Sequence, residues 1–309
     1  MNVPKPRVSI GLPVFNGERY LPEALDAILG QTFGDLELII SDNGSTDQTQ
    51  ALCEARAASD PRVRYLRNEC NVGAARNFNR VFELSSGQYF KWAAHDDKFT
   101  PDFIAKCVAA LERDLSIVLC HAGTRIIDEN GNVVRDYEVH LKTDSPKPQE
   151  RLRELLRFGQ KCYQVFGVIR ATAIRSARLL GNYSGGDNVL LARLALLGRF
   201  HEIPEYAFLS RDHPERFSRL NPDSVSRTAW FDPGKRNQTV FPHWKFWGEY
   251  WRSIHHAPLN PYERAFCYVE LVRLTGRWRR RLWGDLTRPA RRFLGRSQLV
   301  RRARDLVNQ

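Results

Sequence analysis

The first 120 residues alternate short apolar runs with stretches of helical periodicity, and few folds accommodate that alternation. Apolar runs occupy 8–12, 36–41, 63–66, 89–94 and 117–120. Between them, 21–29, 47–58, 74–84 and 102–113 carry the spacing of helices. Strands alternating with helices predict an α/β architecture, a mainly parallel sheet covered by helices on both faces. Pro22 and Pro101 stand where a first helical turn tolerates proline, and Ser45 and Thr46 are candidate caps for the second helix.

Past residue 120 the pattern changes. TRIIDENGNVVRD (124–136) reads as a hairpin turning at Asn130-Gly131. A loop-like 141–150 is followed by a helix near 150–157, a strand over 165–169 and a helix over 171–180. GGDNVLLARLALLG (185–198) is a glycine loop feeding an apolar helix, and 200–204 and 206–211 read as two late strands. From 216 the chain is loop-rich to 240, then aromatic and basic, with helices in pieces. The expected organisation is a domain over 1–215, with halves 1–120 and 121–215, and an extension over 216–309.

In parallel sheets, ligands bind beyond the carboxyl ends of the strands. GLPVFNGE (11–18), SDNGSTDQT (41–49) and AHDD (94–97) each follow a predicted strand. Asp96 and Asp97 are adjacent, so one stays protonated unless a cation is near. Oxygen ligands there suit Mg2+ or Mn2+ bridging to phosphates; the bland alternative is a solvated loop. Asp42, before the Asn43-Gly44 turn, suits hydrogen bonds from a base or ribose, or simply closes a well-made loop. Arg76, one turn into a helix opened by Gly73, suits a phosphate or Asp96 as partner. Asp187, just before a helix, suits a general base and equally an N-cap. In RDHPERFSR (211–219), His213 suits a metal shell and Arg211 a phosphate. There is no GxGxxG, no Walker loop and no GxSxG elbow, and the His201-Glu202 pair lacks a second histidine at helical spacing.

Composition narrows the setting. The six cysteines are scattered without a CxxC pair, which excludes a cysteine metal site and suits a reducing compartment. No run approaches about 18 apolar residues, and the N-terminus reads as a strand rather than a signal peptide. A cytoplasmic location follows, with the inner face of the plasma membrane as a candidate surface. Of the net charge of +12, residues 271–309 carry +10, from twelve Arg and two Asp. Arginine interleaved with Trp and Phe there suits an anionic membrane. A solvated extension or an oligomer contact would show the same pattern. Nucleic acid is electrostatically allowed, but no reading motif accompanies the charge.

Taken in order, VSIGLPVFNGERYLPEALDAILGQTFGDLELIISDNGSTDQT, NVGAARNFN, GQYFKWAAHDDKFTPDFI and GGDNVLLARLALLGRFHEIP resemble the bacterial family 2 glycosyltransferases, over about 8–218. The resemblance implies a GT-A fold with a nucleotide-binding half (1–120) and an acceptor-side half (121–215). It implies metal-dependent, inverting transfer of a hexosyl group from a nucleoside-diphosphate sugar, UDP favoured, to a hydroxyl acceptor. Such an acceptor is a glycan or lipid-linked glycan in cell-wall, polysaccharide or glycolipid synthesis. Carried over by residue, Pro13 and Phe15 line the base pocket. Asn16, Glu18, Asp42, Asn43 and Arg76 lie with the nucleotide. Asp96 binds ribose and metal, Asp97 and His213 complete the metal set, Arg211 lies near the diphosphate, and Asp187 is the catalytic base. The chain departs from the family pattern at Ala94, where many relatives have an aspartate, and at Gly186, where many carry an acid. Two other classes use similar residues: a nucleotidyltransferase acting on sugar phosphates, and a non-catalytic nucleotide-sugar or nucleic-acid binding module.

Overall fold

Residues 5–157, 161–221, 224–235 and 241–307 are described by a computed structural model, with side chains to residue 287. In chain order the elements are β1 (Val8–Val14), α1 (Leu21–Leu29), β2 (Leu36–Asp42), α2 (Thr49–Ser59), β3 (Val63–Arg67), α3 (Ala74–Glu83), β4 (Tyr89–Trp92), β5 (Lys98–Phe99), α4 (Phe103–Arg113), β6 (Ile117–Ile127) and β7 (Val133–Tyr137). Then follow α5 (Pro148–Arg157), β8 (Val168–Arg170), α6 (Ala171–Ala177), α7 (Gly186–Leu197), β9 (Arg199–Arg211), α8 (Phe217–Leu220), α9 (Ser224–Phe231), α10 (Pro242–His256) and α11 (Pro261–Val307).

One mixed sheet runs β3-β2-β1-β4-β8-β6-β9-β5, with β7 on β6. β1 is parallel to both β2 and β4, β2 to β3, and β6 to β9, while the short β8 lies antiparallel between β4 and β6. This is the mostly parallel sheet flanked by helices that the alternation implies, and the GT-A-like architecture that the resemblance implies. Every residue of β1 is buried, as a central strand with both faces covered requires. Val8, Ile10 and Leu12 face one way and meet Leu21, Leu25, Phe103 and Leu111 of α1 and α4. On the opposite face α3 approaches so closely that a Cβ at Gly11 would stand 2.5 Å from Val81. Val81, Phe90 and Trp92 continue there into Leu190 and Leu194 of α7.

A third apolar cluster joins the extension to the sheet domain. Leu152, Leu156, Val189 and Leu196 pack against Tyr250, Ile254, Cys267, Leu271 and Leu274. Residues 261–307 form one helix rather than pieces. Three further expectations are corrected. α2 begins at Thr49 after Gln48, so Ser45 and Thr46 do not cap it; the Ser45 hydroxyl is committed to the Asn16 N–H. The run at 165–169 is a 3-10 turn (Tyr163–Phe166) leading into β8. The two late strands are one, β9, which passes Pro204 because its pairing with β6 shifts register there. The Asn130-Gly131 hairpin forms, with Gly131 at φ 88°.

Candidate functional site at the sheet rim

The carboxyl ends of the first three strands are level, since Val14 pairs with Asp42 and Asp42 with Arg67. The loops leaving them therefore start from one edge. Six backbone N–H groups stitch the first two loops together. The Asn16 N–H donates to Ser45 Oγ, Gly17 N–H to Thr49 Oγ1 and Glu18 N–H to Asp47 Oδ2. In return the N–H groups of Thr46 and Gln48 donate to Asn16 Oδ1 and Glu18 Oε2, and Asn43 N–H donates to the Val14 carbonyl. Asn16 holds φ 50°, a conformation asparagine tolerates better than most residues. Pro13 is buried beneath this seam, and Phe15 projects from it, 41% exposed.

Asp42 is fully buried, and its oxygens are engaged within the chain. Oδ1 accepts from the Ser45 N–H (2.8 Å); Oδ2 accepts from the Tyr65 hydroxyl (3.0 Å) and pairs with Arg67 Nε (3.3 Å). The carboxylate braces the loop that surrounds it. Asn43 ties the rim to the next loop: its Oδ1 accepts from Asn68 Nδ2 and the Val72 N–H, and its Nδ2 donates to Asn71. Asn68 and Asn77 extend this amide network to Ser41. Sequence reading passed over Asn68, Asn71 and Asn77, although the asparagine-rich run 68–79 is the visible signal. Arg76 is exposed on α3 and has no partner among the described residues; Asp96 does not pair with it.

The acidic pair divides its work. Asp96 Oδ2 lies 2.9 Å from His213 Nε2, with 16% of the Asp96 side chain and 3% of the His213 side chain exposed. Burial pushes the Asp96 carboxyl up, but the His213 hydrogen bond and the His95, His213 and Arg216 charges overcome it and hold Asp96 below the usual range. Asp97 turns toward β9, where Oδ1 accepts the Arg211 N–H at 2.8 Å. Burial and the Asp96 charge push Asp97 up, so it favours the neutral acid. Arg216 stands beside the pair as a cation; its Nη2 donates to Ser210 Oγ, and its guanidinium also reaches Tyr163.

Arg211 does not face a ligand. Its side chain is fully buried: Nε donates to the Asp96 carbonyl, Nη1 to the carbonyls of Asp128 and Glu129, and Nη2 to Glu23, over the Tyr20 ring. A guanidinium so engaged is a strut that sets where Asp96 stands. Arg211→Met removes the donor to the Asp96 and Glu129 carbonyls and the ion pair with Glu23, and should lower the unfolding free energy by about 3 kcal/mol. Urea denaturation checks this, and a loss below about 1 kcal/mol would refute the strut.

Asp187 lies in the first turn of α7, behind Gly185 at φ 81°. Its Oδ1 accepts the Asn188 N–H, the Cys162 thiol donates to it, and Tyr183 and Tyr250 stand near. Burial raises its pKa above the ordinary value, partly opposed by the Asn188 and Cys162 hydrogen bonds. Tyr163, the residue after Cys162, meets Arg216, so one short segment touches both Asp187 and the guanidinium beside Asp97. Over the rim lies the chain after α9. A Cβ at Gly73 would stand 2.6 Å from the Phe231 carbonyl, and Asn182 Nδ2 donates to Asp232 at 2.7 Å.

Among the described residues no three His, Cys, Asp or Glu side chains cluster for a metal ion. Asp97 is turned away as a ligand by its bond to β9. Asp96 and His213 remain as a two-donor set, and Arg216 adds positive charge beside them. Two protein donors fit a hard divalent ion that takes its other ligands from phosphates and water.

The glycosyl transferase family 2 model matches residues 9–183. An uncharacterized glycosyltransferase of Rickettsia felis is 33% identical over 153 residues, covering 49% of this chain and 24% of the relative. The chain thus spans about a quarter of that relative's length. The S. aureus TarS 1–349 structure in complex with UDP-GlcNAc aligns with a TM-score of 0.64 at 14% identity, covering 87% of this chain and 72% of that one. The mannosyltransferase PcManGT from Pyrobaculum calidifontis, in complex with GDP-Man and Mn2+, aligns at 0.55 and 14% identity, covering 94% and 83%.

Proposed function

The chain belongs to glycosyl transferase family 2, and on that premise we propose that it moves a hexosyl group from a nucleoside-diphosphate sugar to a hydroxyl acceptor with inversion. The observation that supports this is the single rim shared by three loops, with the Asp96–His213 pair beside it and Asp187 linked toward that pair through the Cys162-Tyr163 segment. Phe15 offers an aromatic face to the nucleobase. Asp42 and Asn43 hold the shape of the base pocket, Asn16 and Glu18 its wall, and Arg76 meets the nucleotide from α3. Asp187 takes the proton of the acceptor hydroxyl as that oxygen bonds to the anomeric carbon and the bond to the diphosphate breaks. His213 and Arg216 face the leaving diphosphate, and Asp96 holds His213 in place. A divalent ion, Mn2+ or Mg2+, would supply further positive charge there. Donors of the kind named with TarS and PcManGT, UDP-GlcNAc and GDP-Man, are the first candidates, UDP favoured.

The test is product analysis. Incubation with UDP-GlcNAc or GDP-Man and Mn2+ should release the nucleoside diphosphate, slowly by hydrolysis and faster with a glycan or lipid-linked acceptor. Pyrophosphate released from a nucleoside triphosphate and a sugar phosphate would instead identify a nucleotidyltransferase. Binding with no turnover would identify a non-catalytic module.

The proposed setting is the cytoplasmic face of an anionic membrane in bacterial surface-glycan synthesis. No helix, among the described residues, is long and apolar enough to cross a membrane. On α11, Val272, Trp283 and Leu286 are exposed at 70%, 69% and 49%, beside exposed Arg279, Arg280 and Arg281. Arg273 pairs with Glu270 and Arg277 reaches the Leu156 carbonyl, and the arginines from 288 on lie outside the described side chains. Each basic residue near such a surface contributes about 1 kcal/mol. Changing these three arginines to Glu together with Trp283→Ala should therefore cut flotation with anionic vesicles at least tenfold. Equal flotation would refute the membrane contact.

A further inference from the structure

A second site lies away from the rim. A cavity of about 210 Å3 opens where the end of α6 meets α7 and α10, and its polar lining comprises Ser176, Arg178, Arg193, Arg252, Ser253 and His256. None of its lining residues is acidic. It is smaller than the clefts of about 300–1,000 Å3 that hold drug-sized ligands, and so suits one charged end of a longer molecule.

The charges around it are not balanced. Lys245, Arg193 and Arg252 all converge on the single carboxylate of Glu249, at 2.9, 2.7 and 2.9 Å. Arg193 is positioned further by Nε donating to Ser253 Oγ. Arg178 is exposed, with no hydrogen bond or ion pair among the described residues. Its backbone sits at φ 61°, ψ 153°, a region nearly confined to glycine. Glycine would relieve that strain, so the guanidinium can be removed there at no cost to the backbone. The three arginines come from the residue after α6, from α7 and from α10, three separate stretches that line one cavity. That arrangement surrounds a tetrahedral phosphate, whereas a planar carboxylate is met by one fork edge-on.

Asp187 is in the first turn of α7, and Arg193 lies six residues on, about 9 Å along the axis. We propose that this cavity binds a phosphate ester group carried by the acceptor while the acceptor's reactive hydroxyl lies at Asp187. The proposal rests on Asp187 being the acceptor-side base. The donor's diphosphate is a separate charge, met at Asp96, His213 and Arg216. Acceptors bearing phosphate one or two sugar units from the reactive hydroxyl are then preferred over the same glycans without it.

Isothermal titration of the full chain with glycerol 1-phosphate, at ionic strength held constant with chloride, tests this directly. Wild type should bind. Arg178→Gly suits the φ 61° backbone, so it should weaken binding about tenfold or more without lowering Tm. Arg252→Gln should weaken it as well. Asp187→Asn should bind glycerol 1-phosphate as wild type does while losing transfer, which separates failure of this site from failure of the base assignment. Undiminished binding by Arg178→Gly would overturn the proposal. So would absence of binding by wild type, or equally tight binding of glucuronate.

Discussion

Asp187→Asn should lower turnover by about 10²–10⁴-fold and leave affinity for the nucleotide unchanged. The substitution keeps the side-chain shape and removes only the lone pair that takes the acceptor's proton. It also removes a charge that burial between Tyr183 and Tyr250 disfavours, so Tm should not fall. Because burial raises the Asp187 pKa, wild-type kcat should decline on the acid side through an ionisation above the usual aspartate value of about 3.9. The sign follows from the role: the base acts as carboxylate, so activity is present above its pKa and lost below it. The residual activity of Asp187→Asn should lack that limb. A kcat–pH profile for both proteins checks this, and an unaltered turnover would remove Asp187 as the base.

Asp96→Asn should cost turnover about 10²–10³-fold, the range seen when one donor to developing negative charge is lost, because the amide no longer holds His213 and a divalent ion against the diphosphate. Its signature differs from that of Asp187→Asn. Asp96 is the partner of His213 and one of two donors left for a divalent ion, so its loss should also raise the Mn2+ concentration needed for half-maximal activity. Asp97→Asn should cost far less at the metal, because Asp97 faces the Arg211 N–H and favours its neutral form. Metal titrations of the two variants distinguish these roles. Equal metal dependence in both would mean the pair acts as a unit.

Much of this was legible in the chain because it rests on local rules. The alternation of apolar runs and helical periods locates β1 through β4 and α1 through α4, and Asn130-Gly131 locates a hairpin. The rim follows from parallel strands alone, since their carboxyl ends share one edge. What escaped depends on long-range pairing. β8 is three residues long and is specified by its neighbours β4 and β6, not by any pattern of its own. Arg211 reads as an open ligand because it leaves a strand among polar residues, yet Glu23 and three carbonyls from distant segments enclose it. Arg216 escaped because its role comes from proximity to Asp96 and Asp97, more than a hundred residues away. The Ser45 cap failed because the Asn16 N–H, 29 residues earlier, takes its hydroxyl.

The most direct measurement of the central claim is the Tm of the full chain with UDP, UDP-GlcNAc and GDP-Man, each with and without Mn2+, for wild type and Asp96→Asn. A ligand at a hundred times its Kd adds about 2.7 kcal/mol. The account expects at least one of these nucleotides to raise the wild-type Tm by several degrees, more with Mn2+ than without, and Asp96→Asn to lose the Mn2+-dependent part. No shift with any nucleotide, or a Mn2+-dependent shift of the same size in Asp96→Asn, would contradict a metal-assisted diphosphate site at this rim.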